Sequence, residues 1–189
     1  MPDPPILYQP FWCEENIWHL AVHPAPGTGE RLVLVITGAG TEVACWNQRA
    51  GSPGQPVLWD YHVILAVRSP VWRIWDLDTS LGSPLPAQTW LHGTFPRPAQ
   101  VRRTNQPRFA VFTASAWLAG FASDRSHMRR SDGGWQQPPP PWPPIDGLDL
   151  TLADAIGQAR AGLDLTELVV LLQDAEGRHA GSLDLGQRL

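Results

Sequence analysis

The sequence predicts an α+β domain, a mostly antiparallel sheet of about six strands flanked by helices, and three observations carry that prediction. A stripe of apolar residues at helical spacing follows Cys13. A series of apolar runs joined by short Gly- and Pro-rich connections fills the middle of the chain. Short helical patterns then follow the last of these runs.

Taken in order, Ile17, Leu20 and Ala21 give the first helix its buried stripe, and Pro24 with Pro26-Gly27 stops it. Glu14 and Glu15 fall in its first turn, where the helix dipole favours negative charge. Arg31 to Thr37 reads as a buried strand. Glu42 to Trp46, after a Gly38-Ala39-Gly40 turn, reads as its hairpin partner. Val57 to Val67 and Val71 to Asp78, joined through Arg68-Ser69-Pro70, read as a second hairpin. Leu81 to Gln106 is a long connection punctuated by proline. Arg108 to Thr113 is a strand, and Ser115 to Phe121 is a short helix capped by Ser115 or Thr113. Thr151 to Ala159 is a helix, and Leu165 to Gln173 is expected as a closing strand in preference to a helix.

With 189 residues, no internal repeat and no shift in composition, the chain is expected to form one domain, 1–189. A net charge of −4 gives no electrostatic case for nucleic acid. No apolar run approaches the ~20 residues of a membrane span, so no membrane partner is expected. The start of the chain lacks a basic region followed by an apolar one, and two cysteines are too few for a disulfide framework. Both point to the cytoplasm, and a monomer is the expectation. The tract Gln136 to Pro144 is predicted to be extended polyproline II, as a strap over the domain in preference to a ligand for a proline-binding module.

The chemistry centres on Cys13, at a helix start where free backbone N–H groups stabilise a thiolate. Pairing the second hairpin about Ser69 sets His62 opposite Asp76, within the roughly 4.5–5.5 Å Cβ separation of direct cross-strand partners. A carboxylate there fixes the imidazole tautomer and leaves the other ring nitrogen to act on a thiol. A register shift of two would put Asp78 in that place, and His127 in a polar loop is a rival base. Cys13, His62 and Asp76 thus have the parts of a nucleophile, a base and an orienting acid. Their order, Cys…His…Asp, is shared with papain-like and transglutaminase-like enzymes.

Cys13-Glu14-Glu15-Asn16-Ile17-Trp18, Trp59-Asp60-Tyr61-His62-Val63, Asp76-Leu77-Asp78-Thr79, Phe121 to Met128 and the Trp135…Pro141 tract, in this order, resemble the protein N-terminal glutamine amidohydrolase family. The likeness spans Tyr8 to about Ile145. It implies a catalytic triad of Cys13, His62 and Asp76, choosing Asp76 over Asp78 and His62 over His127. It also implies deamidation of an N-terminal glutamine to glutamate through a thioester, on peptide or protein substrates. No metal or organic cofactor is implied. Glu15 and Asp124, ahead of Glu14 and Asp60, are the expected partners of the substrate α-ammonium. Ser123 is expected to line the pocket, and Tyr8 and Trp59 to wall the glutamine slot. The same triad would serve a cysteine protease, a transglutaminase or a deamidase of internal glutamine. A non-catalytic module that reads N-termini or offers its polyproline tract is a further alternative.

Overall fold

A computed structural model describes residues 3–173. The elements run α1 (Cys13–Val22), β1 (Glu30–Gly38), β2 (Val43–Cys45), β3 (Val57–Trp59), β4 (His62–Arg68), β5 (Trp72–Trp75) and β6 (Leu85–Pro86). They continue through α2 (Ala87–Thr94), β7 (Pro107–Thr113), α3 (Ala114–Gly120), β8 (Phe121–Ala122), β9 (Leu150–Thr151), α4 (Leu152–Ala161) and α5 (Leu165–Leu171). Five strands form an antiparallel sheet in the order β6-β5-β4-β1-β7. The α+β class and the mostly antiparallel sheet match the expectation.

Side-chain alternation sorts the sheet into two faces. Val33, Val35, Val63, Leu65 and Val67 meet Ile17 and Leu20 of α1, Trp117 of α3 and Ala155 of α4. Leu32, Leu34, Ile36, Ile64 and Ala66 meet Trp90 and Leu91 of α2 and Leu168 of α5. With helices on both faces, β1 and β4 need apolar residues at every position, which is why they read as continuous apolar runs. Each large side chain buried here contributes about 1.5–3 kcal/mol.

Several elements depart from the expectation. Glu42 to Trp46 does not fold back on β1. The N–H groups of Ala39 and Gly40 donate to the Gln106 and Thr104 carbonyls, so the chain leaves the sheet and β2 pairs with β3 instead. Val57 to Val67 is split at Asp60-Tyr61 between two sheets. The connection from Leu81 to Gln106 contains a helix, α2, whose buried Ala87, Trp90, Leu91 and Thr94 recur at helical spacing. Leu165 to Leu171 is a helix rather than a strand, because Asp164 and Glu167 form a reciprocal capping box and only one stripe of the run is buried. The α3 cap is Thr113, which accepts from the Ala116 N–H.

The β4–β5 register also differs. Val67 faces Arg73 and Leu65 faces Trp75, two residues from the pairing centred on Ser69. A shift of two leaves every side chain on its own face, so the apolar pattern cannot distinguish the two registers.

At the end of β1, a Cβ on Gly38 would lie 1.9 Å from the Glu42 carbonyl oxygen and 2.7 Å from that of Thr104. Gly38→Ala is therefore expected to cost about 1–3 kcal/mol and lower the thermal midpoint by several degrees. A melt followed by circular dichroism checks this.

Candidate active site

The approach to Cys13 is held on both sides of the backbone. Asn16, fully buried, accepts from the Gln9 N–H and donates to the Gln9 carbonyl, each at 2.8 Å. This clamp holds Pro10 to Trp12 against the start of α1, and Phe11 within it sits at φ 69°, a left-handed conformation that bulky residues rarely adopt. Trp12 donates its indole N–H to the Pro138 carbonyl at 2.9 Å, and Gln9 donates its side-chain amide to the same oxygen at 3.1 Å. The polyproline tract therefore lies across the segment that carries the thiol.

Continued past its last pair, the β4–β5 ladder would set Asp78 opposite His62, yet it is Asp76 that meets the imidazole. The ladder stops at Trp75, and the Asp78 N–H donates to Asp76 Oδ1 at 3.0 Å, turning the chain. That brings Oδ1 to 2.9 Å from His62 Nε2. Asp76 Oδ2 accepts from Trp90 Nε1 at 2.9 Å and Gln48 Nε2 at 3.4 Å. Burial would raise this carboxyl, but the imidazole charge and these donors outweigh it and hold it below the usual carboxylate range. Burial pulls the His62 imidazole down, but the facing Asp76 carboxylate prevails and raises it. With Nε2 committed to Asp76, Nδ1 is the nitrogen left to exchange a proton. The Trp59 indole stacks over the ring at 6.1 Å and 17°.

Cys13 and His62 line one cavity of about 520 Å³, together with Phe11, Trp59, Asp60, Tyr61, Asp78, Ala122, Asp124, Ser126 to Met128, Gln136 and Gln137, and the start of α4. Its walls thus come from segments far apart in the sequence. Of the two influences on the thiol, the helix start that favours a thiolate and the adjacent glutamates that oppose it, the second side prevails: burial and the charges of Glu14 and Asp78 raise it, against the Val63 N–H, which favours the thiolate. Cys45 is a free, buried thiol in the opposite layer of the core.

The expected substrate-contact residues divide. Trp59 and Asp124 line the cavity. Asp124 accepts from the Ser126 N–H at 2.9 Å and its hydroxyl at 2.8 Å, which hold its carboxyl low. Glu15 lies away from the cavity and is fully buried. It accepts from Arg125 Nε and Nη2 at 2.7 Å each, from Trp142 Nε1 at 2.8 Å and from the Ser123 hydroxyl. Its acceptor capacity is spent inside the protein, so an arriving ammonium has no place on it. Ser123 serves the same buried network instead of the pocket wall. Tyr8 also stands behind the wall, donating to Asp78 Oδ1 at 2.6 Å. His127 does reach the cavity, where its ring contacts the Tyr61 hydroxyl at 3.1 Å and packs edge-on against Trp12.

Sequence reasoning missed four supports: Trp90 and Gln48 on Asp76, Arg125 on Glu15, and the Asn16 clamp. Trp90 was detectable from its helical spacing; the others carry no local signal. Among the described residues, His62, Asp76 and Asp78 bring ligand-type atoms within 4.8 Å of one another, but His62 and Asp76 already bond to each other.

Glu14 is fully buried beside the thiol. Its Oε2 accepts from the Tyr61 hydroxyl at 2.9 Å and lies 3.7 Å from Cys13 Sγ, while Oε1 has no hydrogen-bond partner among the described residues and lies 3.8 Å from His127 Nε2. Burial is the main reason its carboxyl is pushed up to about 7. A carboxyl raised on folding favours the fold below its unfolded value, and that contribution is lost as pH rises through the folded value. Glu14→Gln is therefore expected to flatten the fall in stability between pH 5 and pH 8, by up to about 3 kcal/mol. Denaturant titrations at the two pH values measure it.

A family model described as N-terminal glutamine amidase matches residues 8–165. The chain is 36% identical over 149 residues to the protein N-terminal glutamine amidohydrolase of Bos taurus, covering 76% of this chain and 72% of the relative. The Homo sapiens protein of that name is also 36% identical, covering 76% and 73%. That of Drosophila melanogaster is 36% identical over 146 residues, covering 73% and 71%. Cys13 with its clamp, the His62–Asp76 pair and the cavity they line all fall within the matched residues, and the chain belongs to the N-terminal glutamine amidase family.

Proposed function

We propose that this chain is one catalytic domain that hydrolyses the side-chain carboxamide of an N-terminal glutamine to glutamate, releasing ammonia, with Cys13 as nucleophile, His62 as base and acid, and Asp76 as orienting acid. The observation that carries the reading is the buried His62–Asp76 bond of 2.9 Å at the wall of a cavity that also holds Cys13, in a chain of this family. The relatives' names supply the substrate. The substrate is a peptide or protein, acted on in the cytoplasm by a monomer.

His62 Nδ1 takes the Cys13 proton, and the thiolate attacks the carboxamide carbon. The N–H of Cys13, in the first turn of α1 and free of an intrahelical partner, faces the developing oxyanion. His62 then protonates the nitrogen, because amide nitrogen leaves poorly as an anion. The C–N bond breaks, ammonia departs and a γ-thioester remains. Water, deprotonated by His62, attacks it; the C–S bond breaks, releasing glutamate and restoring the thiol. Trp59 and Asp124 line the path of the substrate, while Tyr8, Glu15 and Ser123 support it from behind.

A Gln-first peptide is expected to gain the mass difference of amide to acid on incubation, with stoichiometric ammonia, while a peptide with glutamine only in its interior is left unchanged. Cys13→Ala and His62→Ala are expected to abolish turnover and His127→Ala to retain it. Mass spectrometry decides between this reading and a general glutamine deamidase.

The pH profile follows from the raised imidazole. His62 must be neutral to accept the thiol proton, so kcat/KM is expected to rise with pH through a midpoint above the usual imidazole value near 6.5. Asp76→Asn removes the charge that raises it. The midpoint is then expected to move down while the plateau falls by about two orders of magnitude or more.

A further inference from the structure

We propose that the carboxylate of Asp78 receives the substrate α-ammonium and is the group by which the cavity reads a free N-terminus. The inference rests on the deamidase reading above and adds to it the residue that makes the reaction specific for chain ends.

The substrate sets the geometry. Four bonds separate the α-nitrogen of glutamine from its side-chain carbonyl carbon, a span of about 5 Å when extended. A charge-assisted hydrogen bond adds about 3 Å. The acceptor therefore has to face the same cavity as the thiol. Three carboxylates meet that condition, Asp60, Asp78 and Asp124. Glu14 and Glu15 do not line it.

Burial and partners separate the three. Asp60 and Asp124 are exposed, where an ion pair is screened and worth little, and both oxygens of Asp124 already accept from Ser126. Asp78 is 7% exposed, and among the described residues its side chain accepts one hydrogen bond, from Tyr8 to Oδ1. Its position relative to the reacting groups is close, with an oxygen in the same 4.8 Å cluster as the His62 nitrogen. Its charge also reaches the Cys13 sulfur.

The charges around Asp78 leave a deficit. It is faced by Tyr8 from the N-terminal segment, by Cys13 at the start of α1, by His62 of β4, by Asp76 two residues away, and by Arg49 at longer range. Arg49 lies over the Tyr8 ring at 5.9 Å and donates to the Thr79 carbonyl. Among the described residues no lysine or arginine forms an ion pair with Asp78. A buried carboxylate whose nearest cationic group, His62, is already bonded to Asp76 is incompletely compensated, and burial raises this one above its usual range. An incoming ammonium supplies the missing charge. An acetylated terminus brings no charge and adds bulk. Occupancy by the ammonium also relieves the negative field that keeps the thiol protonated, so a correct terminus favours its own attack.

The test separates binding from chemistry. In a Cys13→Ala background, a Gln-first peptide and its Nα-acetyl form are titrated by calorimetry. The free amine is expected to bind about tenfold tighter or more. Adding Asp78→Asn is expected to shrink that gap to within about twofold. Where Asp78→Asn does not fold, Asp78→Ala takes its place, and added formate is expected to restore the preference. A gap that survives removal of the Asp78 carboxylate, or that disappears instead in Asp124→Asn, overturns the inference. The deamidase reading is judged separately, by ammonia release from the unmodified protein. Turnover there combined with an undiminished gap in the Asp78 variant sinks this inference alone.

Discussion

A carboxylate taken out of water has to be given donors, and the burial of Asp76 sets that demand at the centre of this molecule. Four donors meet it, from β4, α2, the loop after β2 and the turn that follows β5. Each fixes the position of the element it comes from. The helix that breaks the long connection after β6 is placed where Trp90 can both fill the core and bond Asp76. The imidazole inherits its tautomer from the same arrangement. Stability and chemistry are therefore coupled here, since nothing that loosens one of these elements leaves the His62 ring where it was.

Glu15 makes the same demand on the other side of the thiol. Its bidentate pairing with Arg125 is fully desolvated, an arrangement that adds little net stability over an apolar contact but is costly to leave half-made. It thereby admits one arrangement of the start of α1, the loop at Ser123 to Arg125, and the segment that ends at Trp142. Asn16 fixes the residues that lead into Cys13. Adjacent side chains of one helical turn thus hold the loop wall, the strap and the approach to the thiol.

The sequence was legible where periodicity and chemistry agreed. Helix α1, strands β1, β4 and β7, and helices α3 and α4 each follow from a pattern of apolar spacing with a stop or a cap. Apolar runs with no clear period were read less well: Leu168 to Leu172 looks like a strand until the Asp164…Glu167 box is weighed. The partner of β1 was misread because the neighbouring run after a Gly-rich turn is a hairpin only if the turn N–H groups are free, and these are not. Asp76 rather than Asp78 meets His62 through a turn that ends the ladder, which no pairing rule could supply. Glu15 looked like an available first-turn charge because the four donors that use it up lie more than a hundred residues away.

That separation has a consequence for how the protein is made. Cys13 leaves the ribosome more than a hundred residues ahead of the carbonyl of Pro138 and the indole of Trp142 that secure its surroundings. Throughout that interval the nascent chain carries Cys13 without the walls of the cavity it lines in the folded protein. A translation product truncated before Pro138 therefore carries the thiol without the bonds that hold its approach and the strap in place.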